Sequence, residues 1–408
     1  MKYFFNHIKI FLLVASAILI FSSCNKNVEQ FAETPAANPT GQSLGQVLAA
    51  TASDSLYNRL VIKGGMVAAI SNLPATFTMF VPDNNAMKAF INAISGGAVP
   101  LAAPDAVFSG FITANIPAST AAAIVSYNII PQAVKTSNIP GTFPNFQYPS
   151  ILNPAPSISA LLRLTTFPST RNGDWINNVP LTAVDAIAGN GIIHHSAAVV
   201  IPPQRYLWDR INTDPGLTYL KAAIIRADSG TGSPGVLQGY LGNIGANFTV
   251  FAPTDAAFKA TLTGAIFQAL VALGVPPATA IAQATALASS PTVFSNPALY
   301  SVLTAQVVKG IIVYHIFGNR AFTNNFPTTY TFYPTLLNGG IPSHPGLSIK
   351  ATFGAPFVSA ATVKGVGNAA PANIIINAAP LLPDPFGTSD QHYLNGVLHE
   401  IDQVLLPQ

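Results

Sequence analysis

With one cysteine in 408 residues, the chain cannot close an intramolecular disulfide or build a two-thiolate site, so its stability has to come from apolar cores. Charge is nearly as scarce. Asp, Glu, Lys and Arg make up 8% of the residues and the formal net charge is +3. That leaves no cation cluster able to neutralise a phosphate backbone and removes nucleic acid as a partner. The 15 acidic residues form no cluster resembling a glycosidase carboxylate pair. His194-His195 lacks the i, i+4 spacing and the neighbouring glutamate of a zinc protease. Two look-alike motifs fail on context. Gly41-Gln42-Ser43-Leu44-Gly45 follows a proline-containing linker instead of the buried strand that a nucleophile elbow needs. Gly365 to Ala370 is followed by Pro371 and a strand-like run where a dinucleotide loop needs a helix. The expectation is a non-catalytic protein without metal or cofactor.

Apolar residues, by contrast, make up 50% of the chain, and there are 34 prolines. At the amino terminus Lys2 and Lys9 precede an apolar stretch, Ile10 to Phe21, which ends in Ser22-Ser23-Cys24. About 12 apolar residues are too few for a hydrocarbon core needing roughly 20, so the segment reads as a secretion signal. It resembles a bacterial lipoprotein signal. That resemblance implies removal of residues 1–23, lipid on Cys24, and a membrane as partner through the N-terminal lipid. Asn25 after the cysteine points to the outer membrane of the cell envelope, with the leaflet left open. Residues 24–42, polar and carrying Pro35 and Pro39, read as a flexible tether.

The rest of the chain says nearly the same thing twice. TFTMFVPDNNAM at 76–87 returns as NFTVFAPTDAAF at 247–258, and Tyr127-Asn128 as Tyr314-His315. YPSIL at 148–152 returns as YPTLL at 333–337, and Asn190-Gly191-Ile192-Ile193-His194 as Asn395-Gly396-Val397-Leu398-His399. Two related domains follow, 43–203 and 204–408. In each, the motif reads as a buried strand stopped by Pro82 or Pro253, then a helix capped by Asp83 or Thr254. Ser43 caps an earlier helix. Alanine-rich segments 86–126 and 256–310 predict several short helices. The last has an apolar face through Leu303, Val307, Ile311 and Tyr314 or His315. Strands are predicted at 161–167, 182–187, 347–353 and 374–376, and the Asn-Gly pairs suit type I′ hairpin turns. A stiff linker at Ile201-Pro202-Pro203-Gln204 predicts a restricted interdomain angle with Tyr206 and Trp208 partly buried, at the junction or in the first helix of the second domain.

These ordered motifs, together with the closing NGVLHEIDQVLLP, resemble the fasciclin-like domain family over nearly the whole mature chain. The resemblance implies an α+β fold of two tandem fasciclin-like domains, each a β-wedge or sandwich packed with a cluster of short helices and used for binding. The first copy departs from the pattern, with Asn128 in the place of the motif histidine and His194-His195-Ser196 where an acid is usual. The family's contact region maps onto Tyr314 and His315 with Ile311, Ile312 and Val313; from the residues alone, a Tyr-His pair among Val and Ile reads first as a hydrogen-bonded core element. His194 and His399 read as structural, bonded to backbone carbonyls. An adhesion or matrix-type role follows, with a protein or polysaccharide ligand. The alternatives are a periplasmic scaffold and a carbohydrate-capture protein whose Phe326, Tyr330 and Phe332 stack on sugar faces, unless those rings cover the core.

Overall fold

The computed structural model describes residues 40–354, 357–382 and 387–408, and residues 41–408 form one compact unit. Cys24, the signal and the tether as far as residue 39 lie outside the described residues.

The first half opens with α1 (Leu44–Ala50), α2 (Ser55–Lys63) and α3 (Val67–Ser71), then β1 (Phe77–Pro82), α4 (Asn84–Ile94), α5 (Asp105–Asn115) and α6 (Ala118–Tyr127). Strands β2 (Ile129–Ile130), β3 (Tyr148–Pro149), β4 (Thr165–Thr166), β5 (Pro168–Ser169), β6 (Trp175–Ile176), β7 (Val179–Ala188) and β8 (Gly191–Ser196) complete it. The second half repeats the order with α7 (Leu207–Thr213), α8 (Thr218–Ala227), α9 (Val236–Leu241), β9 (Phe248–Pro253), α10 (Asp255–Ala272), α11 (Pro277–Leu287) and α12 (Ala305–Tyr314). Its strands are β10 (Ile316–Phe317), β11 (Thr331–Tyr333), β12 (Leu347–Phe353), β13 (Val358–Lys364), β14 (Ala372–Ile374), β15 (Gln391–Tyr393) and β16 (Gly396–Ile401). No single described helix is long and apolar enough to cross a membrane.

The caps form as the residue types dictate. Ser43 and Gln46 make a reciprocal capping box, Asp83 Oδ1 accepts from the Ala86 amide at 2.8 Å, and Thr254 Oγ1 accepts from Ala257 at 3.3 Å. Helix α12 starts after its Thr304 cap, which shifts its phase. Val308, Ile312 and Tyr314 point inward while Val307 is left exposed, a correction to the face expected from spacing.

One sheet runs β2-β1-β8-β7-β6-β5. The other runs β10-β9-β16-β14-β13-β12-β11, with a bridge from Phe317 to Thr335 that nearly closes it on itself. In both, the first strand lies parallel to the last and in the same register. Phe77 stands opposite Gly191 through Pro82 opposite Ser196, and Phe248 opposite Gly396 through Pro253 opposite Ile401. These central strands are buried on both faces, which is why they read as apolar runs.

Two strand-level expectations are corrected. Of 161–167 only Thr165 and Thr166 pair as a strand. Upstream, Ser159 Oγ takes the Leu161 amide and Arg163 holds the Ala160 and Leu162 carbonyls, local bonds that displace a ladder. The hairpin turns are Gly189-Asn190 and Leu394-Asn395, and neither has the positive φ of a type I′ turn. Asn-Gly recurs for another reason. Asn190 Oδ1 accepts from the first amide of α1 (Leu44, 2.8 Å) and its Nδ2 donates to Ile70 and Asn72 at the end of α3. Asn395 does the same for Leu207 of α7 and Leu241 of α9. A single amide side chain thus answers a helix's unpaired donor and another's unpaired acceptors, pinning the helical layer to the sheet. The glycines follow from crowding: a Cβ on Gly191 would sit 2.1 Å from the Phe77 carbonyl oxygen, and one on Gly396 2.4 Å from that of Phe248.

Apolar cores lie under each helical layer and inside each sheet. Trp208 packs into the helical core of the second half, and Tyr206 precedes the helix half-buried. The halves also exchange side chains. Phe143 enters the core of the second sheet, Leu381 and Leu394 enter that of the first, and Phe167, Phe322 and Val397 form a small cluster between them.

Candidate binding face and buried histidine network

Tyr314 and His315 end α12 in the interior, both buried together with Ile312, while Ile311 and Val313 are half-buried. The Tyr314 hydroxyl donates to Gly346 O at 2.8 Å and accepts from the Val366 amide at 3.0 Å. His315 Nε2 accepts from the Leu405 amide at 2.8 Å, so the ring proton sits on Nδ1, 2.8 Å from Ile311 O. Burial pushes its pKa down to about 4, only partly opposed by that carbonyl. In the first half Asn128 fills the position and donates to Ile124 O and Val200 O, both at 2.8 Å. The two side chains do the same job, closing the last helix turn onto the segment after the final strand. A partner reaches neither motif without opening the fold.

His194 and His399 bond backbone carbonyls, as read from the sequence, but as part of a larger unit. His194 Nδ1 accepts from the Asp185 amide (3.1 Å) and Nε2 faces Val134 O (2.9 Å). His399 does so with Asp390 and Ala321 at the same distances. Both aspartates sit at positive φ. Their carboxylates hold a threonine amide and hydroxyl, Thr136 in one half and Thr323 in the other. Burial lowers the pKa of both histidines, and the acceptor role of Nδ1 requires the neutral ring. The signal was present in the sequence, since each aspartate lies nine residues before its histidine. The position after the histidine holds an ionisable side chain against a buried group of the opposite type in both halves. Glu400 meets the buried Arg210 at 2.8 Å, whereas His195 meets the buried Asp54 at 3.1 Å, which raises the His195 pKa.

Between the halves lies a network that sequence reasoning missed. Arg320 Nη1 donates to His392 Nε2 at 2.8 Å, placing the His392 proton on Nδ1, toward the Tyr127 hydroxyl at 3.2 Å. That hydroxyl donates to Thr165 O and accepts from Asn177 Nδ2. Arg320 also holds the carbonyls of Tyr393 and Leu394 and lies over the Phe167 ring. Among the described residues it has no carboxylate partner, and burial lowers its pKa to about 10. Burial, reinforced by the guanidinium, drives His392 well below its usual value. The arrangement ties the halves together, and two of its members, Asn177 and His392, also line a cleft of about 390 Å³ with Arg205 and Leu381.

The surface aromatics lie elsewhere. Phe326 is fully buried in the second sheet's core and stacks no sugar, because the chain turns inward at Ala321 to Phe326 to supply the barrel interior. Tyr330 and Phe332 are exposed, by 48% and 55%. Strand pairing sets Phe332 beside Ser348 and Lys364, and extends to Tyr330 beside Lys350 and Thr362. The Tyr330 hydroxyl lies 3.2 Å from Thr362 Oγ1 and Lys350 Nζ 5.5 Å above its ring. The outer face of β11–β13 therefore offers two aromatic side chains two residues apart, a backbone spacing of about 7 Å, flanked by two lysines and hydroxyls.

No family model matches the chain, and no curated protein does. Among solved structures, a FAS1 domain pair from the insect cell adhesion molecule fasciclin I covers 87% of this chain and 97% of its own. Identity is 15% and the TM-score 0.31, a superposition too loose to carry an argument.

Proposed function

We propose that the chain is an exported, lipid-anchored binding protein built from two fasciclin-like repeats, acting in adhesion or matrix contact without catalysis. The repeated motifs and the matching parallel register of the two sheets support the family reading. The observation that carries the function is the outer face of β11–β13, where Tyr330 and Phe332 stand exposed beside β12, whose Leu347, Ile349 and Ala351 face a core. Large rings kept in water beside lysines favour a polysaccharide ligand, stacked on the rings and hydrogen-bonded by Lys350, Lys364 and Thr362. Low single-site affinity is offset by many copies on one membrane.

Coating beads densely with lipid-free residues 25–408 tests the reading. Attachment to polysaccharide or between beads is expected, and the Tyr330→Ala/Phe332→Ala double variant should bind polysaccharide about tenfold more weakly, at about 0.5–1.5 kcal/mol per ring. Its urea midpoint should stay close to the parent's, since neither ring is in a core. Unchanged attachment by the double variant would remove this face from the account. Absence of all attachment, with the native protein protected from protease on intact cells, would leave a periplasmic scaffold.

A further inference from the structure

Helices α2 and α8 hold equivalent places in the two halves. Ser55 Oγ and the Leu56 amide meet Asn84 Oδ1, and Thr218 Oγ1 and the Tyr219 amide meet the Asp255 carboxylate. Counted from those contacts, Ile62 matches Ile225, and both are about half exposed. Each helix walls a groove, of about 310 Å³ along α2 and about 530 Å³ along α8.

The grooves differ where it matters for a ligand. Along α2, Arg59 Nε donates to Thr113 Oγ1 at 3.1 Å and Lys63 Nζ to Thr113 O at 2.6 Å. Asp105 adds a carboxylate to that groove, paired with Lys88 at 2.6 Å. Along α8, Arg226 takes the place of Lys63. Its guanidinium lies 3.7 Å from the centre of the Tyr300 ring and its Nε donates to Leu303 O at 2.8 Å. Its two Nη groups have no hydrogen-bond partner among the described residues. Lys221, whose Nζ donates to Asn212 O at 3.2 Å, lines the same groove, Ala222, Ile225, Pro291 and Phe294 give it an apolar surface, and none of its lining side chains is acidic.

We propose that the α8 groove is a binding site for a ligand with a carboxylate head and an aliphatic body. The Tyr300 ring and the Leu303 carbonyl fix the guanidinium plane, so little side-chain freedom is lost when a carboxylate takes two parallel N–H bonds from the Nη groups. Lys221 adds a second cation, and the body covers Ile225 and Phe294. A peptide's free C-terminus and a medium-chain organic acid share this chemistry. The site is independent of the β11–β13 face.

Calorimetric titration of lipid-free residues 25–408 with hexanoate, with the tetrapeptide Ala-Ala-Ala-Leu, and with its C-terminal amide tests the site. Either acid should bind, identifying its source, and the amide should bind at least tenfold more weakly than the acid. Arg226→Gln should weaken the acid tenfold or more. Because Arg226 also holds Leu303, Lys221→Gln serves as a second variant, with a severalfold loss expected at an unchanged melting temperature. Ile62→Glu, in the other groove, should change nothing. Acid and amide binding alike, neither acid binding at millimolar concentration, or full affinity in both cation variants would overturn the proposal.

Discussion

Gly396→Ala will cost the fold about 3 kcal/mol or more in urea unfolding, and Gly191→Ala will do the same in the other half. At Gly396 the added methyl would lie 2.4 Å from the Phe248 carbonyl oxygen and 2.5 Å from Leu207 Cδ1; at Gly191 it would lie 2.1 Å from the Phe77 carbonyl oxygen. These oxygens belong to the parallel neighbour strand and cannot swing aside. Relief requires the strands to part at the point where Asn395 O bonds the Phe248 amide and Asn395 Oδ1 bonds Leu207. Overpacking together with loss of buried hydrogen bonds gives the expected size. Gly264, inside α10 with nothing within 4 Å of an added Cβ, is the control. Gly264→Ala should stabilise by about 1 kcal/mol through helix propensity. A mild Gly396→Ala would mean that the sheets tolerate spreading and that the recurrence of Asn-Gly has another cause.

Acid will destabilise the protein well before its carboxylates titrate. His194, His315, His392 and His399 are all held neutral, their pKa values lowered first by burial. A histidine that protonates more readily unfolded than folded gives full stability above its unfolded pKa, near 6.5, and loses it as pH falls toward the folded value. For His315 that window runs from about 6.5 to about 4, and the full loss is about 3 kcal/mol. His195 runs the other way. Its pKa is raised by the Asp54 contact, so its contribution is present at low pH and lost as pH rises through the folded value. The four buried rings outweigh it, and stability should fall steeply from pH 6.5 to 4. His315→Asn, copying the side chain at Asn128, should flatten part of that slope at modest cost near neutral pH. His315→Ala should cost about 2–4 kcal/mol at pH 7 by orphaning the Leu405 amide and leaving a cavity. Urea unfolding at intervals from pH 8 to 4 measures all three; a slope identical in His315→Asn and the parent would refute the assignment.

What could be read from the sequence was what is local or written twice. The capped helices after β1 and β9, the proline stops and the backbone-bonded histidines follow from short motifs whose physics lies within a few residues. The Asn-Gly pairs were visible as a recurrence but assigned to the wrong cause, because their glycines serve a strand remote in sequence. Tyr127, Arg320 and His392 were not recognisable as a group. Nothing near any of them predicts the others, and only the docking of the two halves brings them together. Likewise Phe326, Tyr330 and Phe332 read alike in the sequence, as sugar-stacking rings or as core cover; only the inward turn at Ala321 to Phe326 buries Phe326, and only the pairing of β11 with β12 leaves Phe332 and the adjacent Tyr330 outside.

The parallel pairing also determines how the molecule bears load. The chain enters where the Gly189 amide bonds Gln42 O and Asn190 bonds Leu44, so tension arriving there passes into the turn before β8. It leaves just after β16, which lies beside β9 over six aligned residue pairs. Tension along such a strand shears its hydrogen bonds together, whereas an antiparallel hairpin pulled from its end would unzip bond by bond. A protein held at one end and gripped at the other would then yield abruptly and at high force, with the buried Arg320–His392–Tyr127 tie carrying strain from one half to the next.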